Sequence, residues 1–353
     1  MEDQRMRILL ITGPSGQSQG WGNMETTMRL RDALTAMGAE ATILYVETAD
    51  VLLEKLRARS FDIVWSALYY ISSNVEFIGI NQSGTWVHDL LDRLEIPYVG
   101  SSALSMKRML DKAKTNAILA QHGVDVPWQL AIEPGATELP EVSFPAFVKP
   151  CFESESTGVA EDSVVLSRAA LQDRVAYVHR EFAQAAVVEE YLPGREFTVS
   201  VLGNGVARRC YSIENVINPA AYARFPIITK SLKRDGWLDF RIPDGDSARL
   251  HAQAQAAASA LGCADHVRLD VREDVHGRIK VIEINGIPGL NPINSRSLAI
   301  YGLYQSLTPE AAFVPLIRRT IVAALTRYRL LASESHAHDL RRPLTAATTP
   351  ELA

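Results

Sequence analysis

The sequence predicts a mixed chain: an open α/β layer over roughly the first hundred residues, followed by an α+β region. Two observations carry this. Short apolar runs alternate with helical patterns as far as Gly100, and beyond Ser105 they give way to longer helices and to a pair of acid-bearing strands flanking a turn. At 353 residues with 47% hydrophobic content, the chain has room for two or three packed units with sizeable cores.

Taken in order, Arg7–Thr12 (RILLIT) is an apolar run that ends in Gly13-Pro14-Ser15-Gly16, which reads as a buried strand and its loop. Residues 24–37 are helical, with Gly38 as the C-cap. A strand at 41–46, a helix at 51–59, a strand at 61–66, a helix at 85–94 and a short strand at 96–100 complete the first layer. Residues 105–122 then read as one long helix. A strand ending in Phe147-Val148-Lys149-Pro150 leads into a polar loop at 152–158. Strands at 185–189 and 197–202, an alanine-rich helix at 248–261, strands at 267–271 and 279–284, and a helix at 311–330 follow. The polar, aperiodic tail from Ser333 is expected to be disordered. The implied divisions are 1–104, 105–184 and 185–330, with 331–353 as the tail.

The net charge of -5 and pI of about 5.9 argue against a nucleic-acid surface. Three cysteines, Cys151, Cys210 and Cys263, lie far apart with no CxxC, which argues against zinc and against a disulfide framework. The N-terminal apolar run is too short for a signal peptide, and no stretch reaches membrane-spanning length. A soluble, cytoplasmic protein is expected.

The chemistry concentrates in the two strands near residue 275. Both alternate apolar and polar residues, with Ile282 and Ile284 expected on one face, and Asp274-Val275-His276-Gly277 between them is a turn signal. A hairpin centred between His276 and Gly277 sets Asp270 opposite Glu283 and Arg268 opposite Asn285. Facing carboxylates repel by some tenths to about 1 kcal/mol, so a cation between them is called for. Oxygen ligands favour magnesium, or manganese, over zinc. The alternative is a pair of solvated acids neutralised by Arg268 and Arg272. A three-residue loop or a bulge would also move the register by one and undo the pairing. Lys149, at a strand end beside a polar loop, has the reach to hold a phosphate as a point charge. Lys112 lies on a helix and Lys230 in an irregular segment, where surface positions are the alternative for both. Glu189-Glu190-Tyr191-Leu192-Pro193-Gly194 follows a buried strand, where backbone groups can meet a purine edge and a carboxylate can meet ribose hydroxyls. Gly13 to Asn23 lacks GxGxxG and reads as a substrate-facing loop.

Five stretches, IPYVGSSALSMKRMLDK, FPAFVKP, VVEEYLPGREFTVSVL, RLDV and VIEINGIPGLNP, resemble in order and spacing the ATP-grasp superfamily, in its D-alanine–D-alanine ligase-like branch. The resemblance implies an ATP-grasp fold with an N-terminal Rossmann-like (pre-ATP-grasp) domain. It implies ATP and Mg2+ (Mn2+ as a substitute), with Lys112 and Lys149 on the phosphates. Glu189, Tyr191 and Leu192 fall at the adenine hinge, Glu196 at the ribose, and Lys230 over the terminal phosphate. Asp270, Glu283 and Asn285 correspond to the metal ligands, and Arg268, with the Gly289 backbone N–H, to the groups that stabilise the tetrahedral intermediate. The stretch 291–296, with Asn294, Ser295 and Arg296, is expected to line the second-substrate site.

The implied activity is carboxylate–amine ligation through an acyl phosphate. Alternatives are a D-alanine–D-alanine ligase proper, a phosphotransferase, and a non-catalytic ATP-binding protein. The first-substrate side departs from the family. Gly13 to Asn23 contains no acid and Glu25, the nearest, reads as solvent-facing at the helix start; the third strand ends in Ser66-Ala67-Leu68-Tyr69-Tyr70 without a histidine, the Glu-Gly-Ser-Ser loop is Glu153-Ser154-Glu155-Ser156, and Ser231 follows Lys230. A different amino acid or small carboxylate is therefore expected as donor, in specialised metabolism, with a free or carrier-bound amine acceptor and a possible homodimer.

Overall fold

The computed structural model describes residues 5–73 and 84–331, apart from the side chain of Arg234; the expected disordered tail lies outside these residues. The first layer is a parallel sheet. Strands β1 (Arg7–Thr12), β2 (Glu40–Tyr45), β3 (Ile63–Ser66) and β4 (Tyr98–Val99) lie in the order β2-β1-β3-β4. Helices α1 (Gly16–Gln19), α2 (Met24–Ala36), α3 (Ala49–Ala58) and α4 (Val87–Arg93) connect or flank them. A parallel strand is covered on both faces, and the run Ile8 to Ile11 is accordingly buried throughout.

The single helix expected at 105–122 is two. α5 (Ala103–Leu110) and α6 (Lys112–Gln121) are broken at Asp111, whose backbone is extended and whose carboxylate caps α6 by accepting from Lys114 N. Aspartate competes with helical backbone for hydrogen bonds, so it favours such a break.

The second sheet is antiparallel, in the order β5-β8-β6-β7: β5 (Gln129–Ile132), β6 (Ala146–Pro150), β7 (Val164–Val165) and β8 (Ala186–Glu190), packed on α7 (Arg168–Phe182). β8 pairs with both β5 and β6, so the division expected at 184/185 is corrected: the chain leaves this sheet only after Glu190. The third sheet has the order β11-β10-β9-β12-β13: β9 (Glu196–Leu202), β10 (Arg209–Ile217), β11 (Leu238–Arg241), β12 (His266–Glu273) and β13 (Ile279–Asn285). Between β10 and β11 lies α8 (Lys230–Arg234); α9 (Ser247–Ala260), α10 (Arg296–Gln305) and α11 (Pro309–Arg327) complete the chain. Among the described residues, no helix is long and apolar enough to cross a membrane.

The main core joins the first layer to the third sheet. It runs from Ile8 and Trp65 through Met106 to Val199, Leu269 and Ile317. Arg327 on α11 pins this junction. It pairs with the fully buried Asp265 at 2.7 Å and donates to the carbonyls of Tyr98 and Gly100.

Candidate functional site

The register of β12 and β13 decides the site. Near the turn, Glu273 pairs with Ile279 and Arg272 with Lys280 across a five-residue loop, one step off the expected pairing. A β-bulge between Asp270 and Val271 restores the step, and Asp270 then pairs with Glu283 and Arg268 with Asn285. The two shifts cancel. The bulge also corrects one expectation: Ile284 is in the core, whereas Ile282, the unpaired extra residue, faces the same cleft as Glu283.

That cleft lies between the second and third sheets and encloses about 870 Å³, open solvent at its mouth included. It brings together ten of the residues singled out in the sequence: Lys112 and Lys149; Glu189, Tyr191, Leu192 and Glu196; and Arg268, Asp270, Glu283 and Arg296. The helix break explains one of them. As the first residue of α6, Lys112 turns inward, donating to the carbonyls of Cys151 and Glu153 and lying 3.4 Å from Glu283 Oε1. Lys149, the last residue but one of β6, is buried and pairs with Glu189 Oε1 at 2.7 Å. Glu189 Oε2 accepts from Gln129 Nε2 at 2.8 Å, so its carboxylate is held on both oxygens. Glu196 lies 3.2 Å from Arg272, and its burial raises its pKa.

Asp270 is held on both oxygens, by the Thr198 hydroxyl at 2.8 Å and by Arg268 Nη2 at 3.1 Å. Burial acts to raise its pKa, but Arg268, Arg296, Lys233 and the Thr198 hydroxyl together carry it below the usual carboxylate range. The oxygen-only set of Asp270, Glu283 and Asn285 suits a hard divalent cation. Among the described residues, no group of three or more His, Cys, Asp or Glu side chains is placed to hold a metal, and the third member here is an amide. Asn285 Oδ1 accepts from Ile287 N at 3.0 Å and lies 3.4 Å from the Tyr69 hydroxyl.

Three other expectations are corrected. Lys230 is exposed and lines a separate depression behind the loop at 156–160; the lysine of this segment that lines the cleft is Lys233. The segment is not irregular but begins the helix α8, capped by Thr229 on Leu232 N, and the helical turn carries Lys233 inward. Asn294 is exposed, and Ser295 is a buried N-cap for α10 that also donates to the Gly289 carbonyl at 2.5 Å. Neither lines the cleft, and Gly289 does not either. Finally, the loop at 13–23 is largely interior, and Gln19 is its one residue lining the small cavity beside the cleft. Gln19 spends its whole amide on Ser15 and on the backbone of Tyr69 and Tyr70, Trp21 is buried against Trp65, and a side chain at Gly20 would strike the Ala67 carbonyl.

Sequence reasoning missed Lys233, Thr198 and Asn215, and it treated Tyr69 only as part of an altered segment. Tyr69 accepts from the N–H groups of Gly286 and Ile287, both at 3.2 Å. With Gln19, Ser154 and Asn285 it lines a small cavity that shares Lys112, Glu153 and Glu283 with the cleft. On another side, the segment leading to the cleft-lining Ile227 and Ile228 is tied down. The Glu161 carboxylate accepts from the successive N–H groups of Ala223, Arg224 and Phe225 at 3.0 to 3.1 Å, Phe225 packs on Tyr191, and Arg272 donates to the Pro226 carbonyl.

Residues 128–300 match the family model described as D-ala D-ala ligase C-terminus. The chain is 27% identical over 265 residues to the D-alanine–D-alanine ligase of Bordetella pertussis, covering 74% of this chain and 79% of that protein. It is 29% identical over 267 residues to the Pseudomonas putida enzyme of the same name (73% and 76%), and 29% identical over 250 residues to an uncharacterized protein of Sinorhizobium fredii (69% and 71%). The Bacillus anthracis D-alanine–D-alanine ligase complexed with ATP superposes with a TM-score of 0.66 at 20% identity, over 93% of this chain and all of that one.

Proposed function

Because the chain is an ATP-grasp protein of the D-alanine–D-alanine ligase-like branch, we propose that it is an ATP-dependent carboxylate–amine ligase acting on small molecules. One observation carries the reading: Asp270 faces Glu283 in a cleft that also holds Lys112, Lys149 and Arg268. Lys112 from the start of α6 and Lys149 from the second sheet neutralise phosphate charge on one side, and Arg268 does so from the third sheet. Tyr191, Leu192 and Ile282 offer apolar surface for a base, and Glu196 a carboxylate for a ribose. Asp270, Glu283 and Asn285 are the side chains that would hold a divalent cation such as magnesium, whose charge would offset that of the phosphates.

The donor carboxylate is proposed to sit in the small cavity at Gln19, Tyr69 and Ser154, beside Glu283 and Lys112. There the carboxylate would attack the terminal phosphorus, breaking its bond to ADP and giving an acyl phosphate; an amine would then attack the acyl carbon, and inorganic phosphate would leave with loss of a proton to give the amide. The latched segment at 223–225 leads into Ile227 and Ile228, which line the cleft and help to keep water from that intermediate. In this cavity Gln19 has no hydrogen-bonding capacity left for a substrate, which supports a donor other than D-alanine. The expectation of a carrier-bound acceptor gains no support from the relatives.

The test is an ADP-release screen of amino acids and other carboxylates, with and without amines, with products identified by mass spectrometry. Amide formation with release of ADP and phosphate is expected. A phosphorylated end product, or activity surviving both Asp270→Asn and Glu283→Gln, would overturn the reading. D-alanyl-D-alanine as the preferred product would overturn the donor assignment alone.

A further inference from the structure

A hydrogen-bonded chain runs from Arg296 across three strands to Asp270, and none of its inner members belongs to the cleft lining. Arg296 Nη1 donates to Asn215 Oδ1 on β10. Asn215 Nδ2 donates to Thr198 Oγ1 on β9 at 3.1 Å, and Thr198 Oγ1 donates to Asp270 Oδ1 on β12 at 2.8 Å. Thr198 is fully buried and Asn215 nearly so.

The direction of every bond is forced by chemistry. A guanidinium has only donors, so Asn215 must turn its oxygen to Arg296. That leaves an N–H for Thr198, whose oxygen must accept it, and the single hydroxyl proton is then committed to Asp270. The chain therefore starts on a cation and ends on an anion, with each bond polarising the next in the same sense. The other Asp270 oxygen is fixed by Arg268 at 3.1 Å, and Phe240 on β11 supports the Arg296 guanidinium at 5.5 Å.

We propose that Thr198 and Asn215 are positioning residues that fix Asp270 for its divalent cation and tie that carboxylate to Arg296, so that the metal side and the substrate side of the cleft are set as one unit. This rests on the metal and nucleotide reading above. Residues that orient a metal ligand through its remaining oxygen tune affinity without touching the ion. Asn215 stands one residue further back, and its effect on the metal passes only through Thr198.

The test measures Mn2+ binding to the full-length protein in the presence of a non-hydrolysable ATP analogue, by electron paramagnetic resonance of free Mn2+. Thr198→Val keeps the shape of the side chain and removes the hydroxyl. It is expected to weaken Mn2+ binding about 10- to 100-fold. Thr198→Ser restores the hydroxyl and is expected to bind close to the unsubstituted protein. Asn215→Leu is expected to weaken binding in the same direction by a smaller factor, and the Thr198→Val, Asn215→Leu pair to bind no worse than Thr198→Val. Circular dichroism melts identify any variant that fails to fold, and Thr198→Ser and Asn215→Leu then carry the comparison. Unchanged Mn2+ affinity in Thr198→Val, equal damage from valine and serine, or independent multiplication of the two effects would overturn the relay while leaving the metal site standing. Absence of nucleotide-dependent Mn2+ binding in the unsubstituted protein would overturn the metal reading, and the relay with it.

Discussion

Lys230 and Lys233 stand one helical turn apart, yet one is exposed behind the loop at 156–160 and the other enters the cleft with Arg268 and Arg296. Burial, with those two arginines, lowers the Lys233 ammonium to about 8. Concentrated positive charge there suits a polyanion, so Lys233→Met is expected to lower ATP-dependent turnover by about 10²-fold or more. Lys230→Met is expected to stay near the parent, with both read from ADP release against ATP concentration. The sequence marks a lysine in this segment but not the right one, because a helix of five residues with no apolar periodicity gives no phase to read. A second residue-level prediction concerns acid. Burial lowers His88, packed edge-on against Tyr98, to about 4. Between an unfolded pKa of about 6.5 and that value, the unfolded chain binds a proton that the folded chain refuses. Stability is therefore expected to fall as pH drops through this window, and His266, lowered to about 3, adds to the fall. His88→Phe should show a shallower loss of melting temperature between about pH 7 and about pH 5.

Elements differ in how plainly they are written. The parallel strands of the first layer were legible, since strands buried on both faces appear as unbroken apolar runs such as RILLIT. α7 was not recognised, because its apolar residues at 171, 175, 178 and 182 are outnumbered by charged neighbours. The break at Asp111 was missed because helical pattern continues on both sides, and the cap that makes it is a single side chain. The segment at 223–225 illustrates a contact no pattern reveals, a glutamate 62 residues upstream bound by successive backbone N–H groups. Its hydrogen bonds hold the Glu161 carboxyl below the usual range. Glu161→Ala is expected to expose this segment to limited proteolysis and to weaken ATP binding several-fold, which cleavage rates with and without nucleotide would reveal. Equal cleavage in parent and variant would remove the latch.

At the scale of the whole molecule, the first layer and the third sheet share one core and two polar ties, Arg327 with Asp265 and Tyr69 with the turn after β13. The ion pair is the more exacting tie, because Asp265 is fully buried and also accepts from Gly100 N and Asn204 Nδ2. Removing its cation by Arg327→Ala leaves a buried carboxylate uncompensated, so a loss of about 3–5 kcal/mol is expected in urea unfolding. Neither tie was legible in the sequence, since each joins residues more than sixty positions apart. The acid-bearing strands of the cleft were more legible than the walls around them. Strand alternation and a turn signal are local, whereas the cavity at Gln19 and Tyr69 depends on how two layers meet.

The bulge at Ile282 gives β13 one residue more than its partner strand needs. A spare residue can be excised. Deleting Ile282 would leave an unbroken ladder in which Val281 and Ile284 still point into the core and Glu283 still meets Asp270. What vanishes is the apolar floor that the extra residue lends the cleft. Such a shortened chain is expected to fold and to keep its cation while losing its grip on the base, which binding of Mn2+ and of an ATP analogue, measured separately, would show.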